Sequence, residues 1–381
     1  MAVILSGIDH LSSVDSVLKV QRLGLMTNQT GIDRQFRSTI NLLHEQYHLT
    51  ALFAVEHGIR GNVQGGLHLQ NEIDPQTGVP VYSVYGDTRR MTQEMLDAFD
   101  VFCFDIQDVG LRFYTFIYAL SYAMEACHAA GKQVVVFDRV NPLGGDRVDG
   151  TLLDEAFASY VGMYAMPTQY GMTVGEYARW CKDYLHLDGL KLTVVPLSGW
   201  NRRDDLSKLD LPWVAPSPNC TGFAAAYAYA GGCIFEGVNV SEGRGTCMPF
   251  EYYGAPWIDA VELEKQMGKR NLPGLHFRAT YFTPTFSKYQ GQMCQGVQMH
   301  IVDHQTARPI LGALCLLDEI RLLYPDKLEF NHTLEGKPTM DLLLGTDEYR
   351  RGVYDGPGLL KAHEGKVEAF RQARKPYLLY D

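Results

Sequence analysis

Val101-Phe102-Cys103-Phe104-Asp105-Ile106 and Gln133-Val134-Val135-Val136-Phe137 stand on either side of residues 113–130, and this stretch decides the fold. Both flanks are short apolar runs rich in Val and Phe, which read as buried strands. The segment between them is long enough for a helix and carries no proline. A strand–helix–strand unit of this kind closes by a right-handed crossover and lays its two strands parallel in one sheet.

Working outward, the same alternation repeats. Upstream, 22–27 reads as a strand, 36–47 as a helix with Ile40, Leu43 and Tyr47 on one face, 49–55 as a strand and 92–99 as a helix. Downstream, Thr173-Val174-Gly175-Glu176 has the spacing of a capping box and opens a helix to about residue 185. Residues 192–196 read as a further strand. The expectation is an α/β chain with a Rossmann-like, doubly wound, mostly parallel sheet covered on both faces. The pattern weakens after Trp200, where Pro212, Pro216 and Pro218 interrupt it, and residues 231–245 are Gly-rich and irregular. It resumes with a helix near 261–269, a strand at 296–302 and a helix at 310–323. This divides the chain into a Rossmann-like catalytic domain, 1–255, and a smaller α/β C-terminal domain, 256–381.

A length of 381 residues suits two such units. The formal net charge of −10 argues against a nucleic-acid partner, which needs a basic face to displace counterions from phosphates. No apolar run reaches the roughly 20 residues of a membrane span. The first ten residues carry Asp9 and no basic cluster, so a cytoplasmic location is expected from the sequence as written, the alternative being export with a leader removed. Eight cysteines are scattered without a C-x-x-C pair, which points to free thiols rather than a zinc or redox motif.

In open parallel sheets, ligands bind beyond the carboxyl ends of the strands. Four consecutive strand ends here deliver polar groups: Asn28; Glu56, His57 and Arg60; Asp105, Gln107, Asp108 and Arg112; and Asp138 with Arg139. Each has a plainer reading. Asn28 suits an Asx-turn, Asp108 a helix cap, and Asp138 with Asn141 the turn at Asn141-Pro142. His57 suits an ordinary hydrogen bond, since no second histidine stands at ligand spacing. Glu56 is harder to explain away, because it directly follows Leu52-Phe53-Ala54-Val55 and a charge at a buried strand end is costly unless used or paired. A second polar stretch, Phe235-Glu236-Gly237-Val238-Asn239-Val240-Ser241-Glu242-Gly243-Arg244-Gly245-Thr246, alternates glycines with donors and acceptors and suits a hydroxylated ligand such as a sugar. There is no dinucleotide fingerprint, P-loop or nucleophile elbow.

The strings Gly24-Leu25-Met26-Thr27-Asn28-Gln29-Thr30-Gly31, Glu56-His57-Gly58-Ile59-Arg60-Gly61, Phe104-Asp105-Ile106-Gln107-Asp108-Val109-Gly110, Arg112-Phe113-Tyr114-Thr115 and 236–246 occur in this order. Together they closely resemble the NamZ-type exo-β-N-acetylmuramidases over nearly the whole chain. Val55 departs from the family, which usually has proline before Glu-His-Gly. The resemblance implies a Rossmann-like domain, a smaller α/β domain and an active-site cleft between them. It also implies release of N-acetylmuramic acid from the non-reducing end of peptidoglycan fragments, with no metal, nucleotide or other cofactor.

Glycoside hydrolysis needs a proton donor for the leaving oxygen and usually a second carboxylate. Glu56 is the candidate acid. The candidate partners are Asp105, Asp108 and Glu242, or the substrate's own acetamido group. Arg60, Arg112, Arg139 and Arg244 are candidates for the lactyl carboxylate. Tyr114 and His57 are candidates to position hydroxyls or water, and Asn28, Gln107, Asp138, Asn239 and Ser241 to bind the sugar. Two rivals are a metal-dependent hydrolase or phosphatase built from His57, Asp105, Asp108 and Asp138, and a muropeptide-binding protein without turnover.

Overall fold

A computed structural model describes residues 3–56, 58–61, 71–85 and 89–381. Its strands are β1 (Arg22–Thr27), β2 (His48–Ala54), β3 (Glu72–Ile73), β4 (Pro80–Ser83), β5 (Val101–Asp105), β6 (Gln133–Phe137), β7 (Asp149–Leu152), β8 (Pro167–Gln169), β9 (Leu192–Val195), β10 (Tyr252–Ala255), β11 (Leu275–Phe282) and β12 (Cys294–Ile301). Seven of them form the main sheet in the order β3-β4-β2-β1-β5-β6-β9, parallel throughout except for the edge strand β3. Without β3 this is the strand order of the Rossmann fold, with the direction of winding reversing between β1 and β5.

The strands of this sheet are apolar because both faces are covered. On one face Leu23, Leu25, Leu52, Val135 and Phe137 pack with Ile40 and Leu43 of the helix Thr39–Gln46. On the other, Phe53, Phe102, Phe104 and Val136 join a core that also takes in the helix Phe116–Ala129. That core continues without a break into Phe235, Tyr253, Val297 and Leu314 of the C-terminal half.

There β10, β12 and β11 form a three-stranded antiparallel sheet. Helices Phe223–Gly232 and Ala260–Lys269 pack on it, Pro309–Leu323 packs against both of them, and Gly356–Ala373 packs against Pro309–Leu323 and β7. The first of these has no polar stripe: eight of its ten residues are buried. A helix buried all round shows no 3.6-residue alternation, which is why sequence periodicity passes over it. The 18-residue helix Gly356–Ala373 was also unforeseen, since Pro357, Gly358 and Gly365 disguise it, although proline in the first turn is compatible with a helix. The helix expected over 113–130 begins only at Phe116, and the three residues before it serve the site described next.

Candidate functional site

A cavity of about 820 Å3 opens between the carboxyl ends of the main sheet and the C-terminal half. Glu56 enters it from just beyond β2, Tyr85 from just beyond β4, and Tyr114 and Thr115 from the loop after β5. The Tyr85 hydroxyl donates to Glu56 Oε1 at 2.8 Å, and the Thr115 hydroxyl lies 3.4 Å from Oε2. Thr115 is the N-cap residue of the helix Phe116–Ala129, yet its hydroxyl does not cap that helix and is turned to Glu56 instead. The positive end of the helix therefore also faces this carboxyl. Hydroxyls accept as well as donate, so the two partners can hold Glu56 in either protonation form. Burial, and then the neighbouring Glu56 charge, push the Tyr85 phenol above its ordinary range, so it remains a proton-bearing group.

The facing wall comes from the Gly-rich stretch. Glu236 and Arg244 line the cavity, joined by a 2.7 Å ion pair. Arg244 also pairs with Glu242 at 3.1 Å, and Lys288 reaches the other oxygen of Glu242 at 2.9 Å. The backbone makes this possible at Gly243 and Gly245, both left-handed with φ of 77° and 81°. A Cβ on Gly245 would lie 2.5 Å from the carbonyl oxygen of Phe286, so only glycine lets the two loops close. Burial alone would raise the Glu242 carboxyl, but the Lys288 and Arg244 charges outweigh it and hold the group below its ordinary range. Phe113, Tyr114, Phe116, Tyr160, Tyr229, Phe250 and Phe286 make the rest of the wall largely aromatic. The Tyr114 hydroxyl is buried and meets no hydrogen-bond partner of good geometry among the described residues.

Of the sequence candidates, Glu56, Tyr114 and Arg244 line this cavity, and His57 lies outside the described residues. The others have different work. Asp105 is fully buried, held at both oxygens by Arg139 (2.6 and 2.8 Å) and by the Thr39 hydroxyl. Neither residue lines the cavity: Asp105, expected among the catalytic groups, and Arg139, expected as a candidate for the lactyl carboxylate, are committed to each other. Glu242 is likewise a buried anchor, 1% exposed, behind Arg244. An ionised carboxyl between two cations has no proton to give. Asp108 accepts from the Gly110 N–H at 2.6 Å and from the Tyr170 hydroxyl, and burial pushes it up to about 6. It shapes the loop before the helix. Arg112 is wholly buried and donates to the carbonyls of Thr151, Met166 and Leu343, with burial pushing it down to about 10. It ties β7 and β8 to the C-terminal half and cannot reach a ligand.

Asn28 forms the Asx-turn, its Oδ1 accepting from the backbone and hydroxyl of Thr30. Arg60 pairs with buried Asp74 at 2.7 Å, away from the cavity. Gln107 donates to the carbonyls of Asp108 and Val140. Asp138 accepts from Gly175 N–H and from the Thr173 and Tyr380 hydroxyls, while Asn141 holds the adjoining turn. Asn239 clasps the backbone at Lys327 and Glu329, and Ser241 accepts from the Gly243 N–H. Among the described residues no group of three or more His, Cys, Asp or Glu side chains is arranged to hold a metal.

Sequence reasoning missed Tyr85, Arg89, Thr115, Tyr160 and Glu236 as lining groups. β4 is four residues long and begins with proline, so it gave no strand signal, and Tyr85 and Arg89 follow it. Glu236 stood in a stretch already marked as polar. The crevice between β1 and β5, where a Rossmann sheet usually binds, is nearly filled: about 60 Å3 remains beside Gln107, Arg139 and residues Leu211 to Val214.

A doubly wound α/β sheet, a second α/β unit and a cleft whose described lining sets Glu56 and Glu236 among aromatic side chains suit a protein that binds and acts on a small polar substrate. The N-terminal model of the exo-β-N-acetylmuramidase NamZ family matches residues 23–224, and its C-terminal model matches 227–380. This chain belongs to that family. It is 42% identical to the peptidoglycan β-N-acetylmuramidase NamZ of Bacillus subtilis (strain 168), across 98% of this chain and 91% of that protein. Two crystal structures of DUF1343 family proteins from Bacteroides fragilis NCTC 9343 share the fold. One has a TM-score of 0.92 at 34% identity, covering 100% of both chains. The other has a TM-score of 0.77 at 29% identity, covering 99% of both.

Proposed function

We propose that this protein is an exo-acting glycosidase that releases N-acetylmuramic acid from the non-reducing end of peptidoglycan fragments. Its family and its Bacillus subtilis relative support the activity. The observation that carries the chemistry is Glu56, set in the cleft between two hydroxyls with the Glu236–Arg244 pair also in the wall. Glu56 protonates the glycosidic oxygen as the bond to the anomeric carbon breaks. Glu236, fixed by Arg244, is the second carboxylate. It orients or deprotonates the group that attacks, whether water or the substrate's acetamido oxygen. The aromatic wall keeps bulk water from the reacting centre and presents flat surfaces to the sugar ring.

The test is incubation with N-acetylmuramyl-β-1,4-N-acetylglucosamine in the presence of EDTA, with free N-acetylmuramic acid measured by mass spectrometry. Release is expected. Binding without release defines a muropeptide-binding protein, and activity that chelation abolishes defines a metal-dependent hydrolase. Glu56→Gln then tests the acid. It should lose several orders of magnitude on the disaccharide but much less on a 4-nitrophenyl glycoside, whose leaving group needs little protonation. Equal losses on both would remove Glu56 from the acid role.

A further inference from the structure

We propose that Arg89 recognises the lactyl carboxylate of the substrate and so sets the preference for N-acetylmuramic acid over N-acetylglucosamine. This rests on the reading above. The two sugars differ only in the lactyl ether on O3, whose carboxylate is the one charged group the enzyme can use to tell them apart. Glu236 already stands in the wall, so a further carboxylate is favoured there only beside a cation that is not already paired.

Two arginines line the cavity. Arg244 has its Nη2 on Glu236 at 2.7 Å and its Nη1 on Glu242 at 3.1 Å, so two carboxylates already neutralise it. Arg89 has no carboxylate partner among the described residues. Its guanidinium carbon lies 3.9 Å from the ring centroid of Tyr160, which is itself stacked on Tyr122 with centroids 6.4 Å apart. Stacking occupies a face of the guanidinium and leaves its in-plane N–H donors uncommitted, the geometry in which arginine takes a carboxylate with two parallel hydrogen bonds. It also holds the side chain near one orientation before substrate arrives. The arginines expected from sequence are all engaged elsewhere: Arg60 with Asp74, Arg139 with Asp105, and Arg112 with three buried carbonyls.

The experiment compares 4-nitrophenyl β-N-acetylmuramide with its lactyl methyl ester, which keeps the ether and the carbonyl, adds one methyl group and carries no charge. In the wild type the acid should be the better substrate, roughly tenfold to hundredfold in kcat/KM, the range expected for a charge-assisted pair. In Arg89→Gln that acid-to-ester ratio should fall toward one, chiefly through KM. Arg89→Lys should restore part of it, because the charge remains and the planar fork does not. An Arg89→Gln enzyme that keeps the wild-type ratio overturns the assignment, as does a wild type that does not distinguish acid from ester. A wild type that cleaves neither N-acetylmuramide, nor the natural disaccharide, refutes the function itself, which is a separate outcome.

Discussion

Tyr85 and Glu56 lie at the carboxyl ends of the neighbouring strands β4 and β2, and the Tyr85 hydroxyl closes the gap with a 2.8 Å hydrogen bond to Glu56 Oε1. A hydrogen bond to a group that ionises is worth about 1.5–3 kcal/mol when its partner is poorly solvated. Tyr85→Phe keeps the ring in the wall and removes only this bond. We expect kcat on the disaccharide to fall roughly tenfold to hundredfold, with the melting temperature nearly unchanged, as read by steady-state kinetics and calorimetry. Unchanged kcat would show that Thr115 and the helix end suffice to place Glu56.

Asp105 and Arg139 form a buried ion pair under the strand ends, with Asp105 wholly inaccessible. Removing one partner strands the other charge in the interior, at a cost of about 3–5 kcal/mol. Asp105→Ala should therefore lower stability by that order in urea unfolding. The folded fraction should retain most of its turnover at low temperature, because Asp105 does not touch the cavity. Full stability with no turnover would instead return Asp105 to the chemistry.

Asp138 is pushed up to about 7, first by burial, with Glu176 nearby adding to the effect. Its folded pKa lies above its unfolded one, so between about pH 4 and pH 7 the native state binds the extra proton. This contribution to stability is present at acid pH and is lost as pH rises through about 7. Asp138→Asn mimics the protonated form. Its carbonyl can accept from Gly175 N–H while its amide faces the Thr173 and Tyr380 hydroxyls, which can accept. Relative to wild type, the variant should gain stability steadily from pH 4 to pH 7 and change little above. Parallel stability curves for the two proteins would refute the shift.

Phe286 is 41% exposed in the loop between β11 and β12, at the edge of the cavity. Its backbone is pinned to the Gly-rich loop through Thr285, which donates to the Gly245 carbonyl at 2.8 Å. We expect this half-exposed ring to serve as a platform for the sugar on the leaving side. Phe286→Ala should raise KM for the disaccharide roughly tenfold, about 1.4 kcal/mol, and leave KM for the 4-nitrophenyl glycoside closer to wild type. Equal changes for both substrates would place the ring on the other sugar.

Much of the fold could be read from local pattern. β1 and β6 occupy the residues their composition indicates, and the helix Val174–Tyr184 starts at its capping box, because a strand covered on both faces and a capped helix each leave a mark within a few residues. Elements whose stability comes from distant packing left none, the all-buried helix Phe223–Gly232 and the short strand β4 among them.

The amino-acid sequence by itself determined the winding of the main sheet, the family, and the delivery of Glu56 to the carboxyl edge of that sheet, and it marked the Gly-rich stretch as polar without placing it. Only the tertiary structure decided which of the polar residues at that edge meet a ligand. A strand end shows that a side chain emerges there. It does not show whether a partner from another part of the chain is waiting, as Arg139 is for Asp105, Tyr380 for Asp138 and Lys288 for Glu242. Those partners lie 34 to 242 residues away along the chain, and closing such distances is a matter of packing rather than of local propensity. The same packing filled the crevice between β1 and β5 and opened the cavity over β2 and β4, which is why the site takes in Tyr85 and Arg89 and leaves Asp105 in the frame.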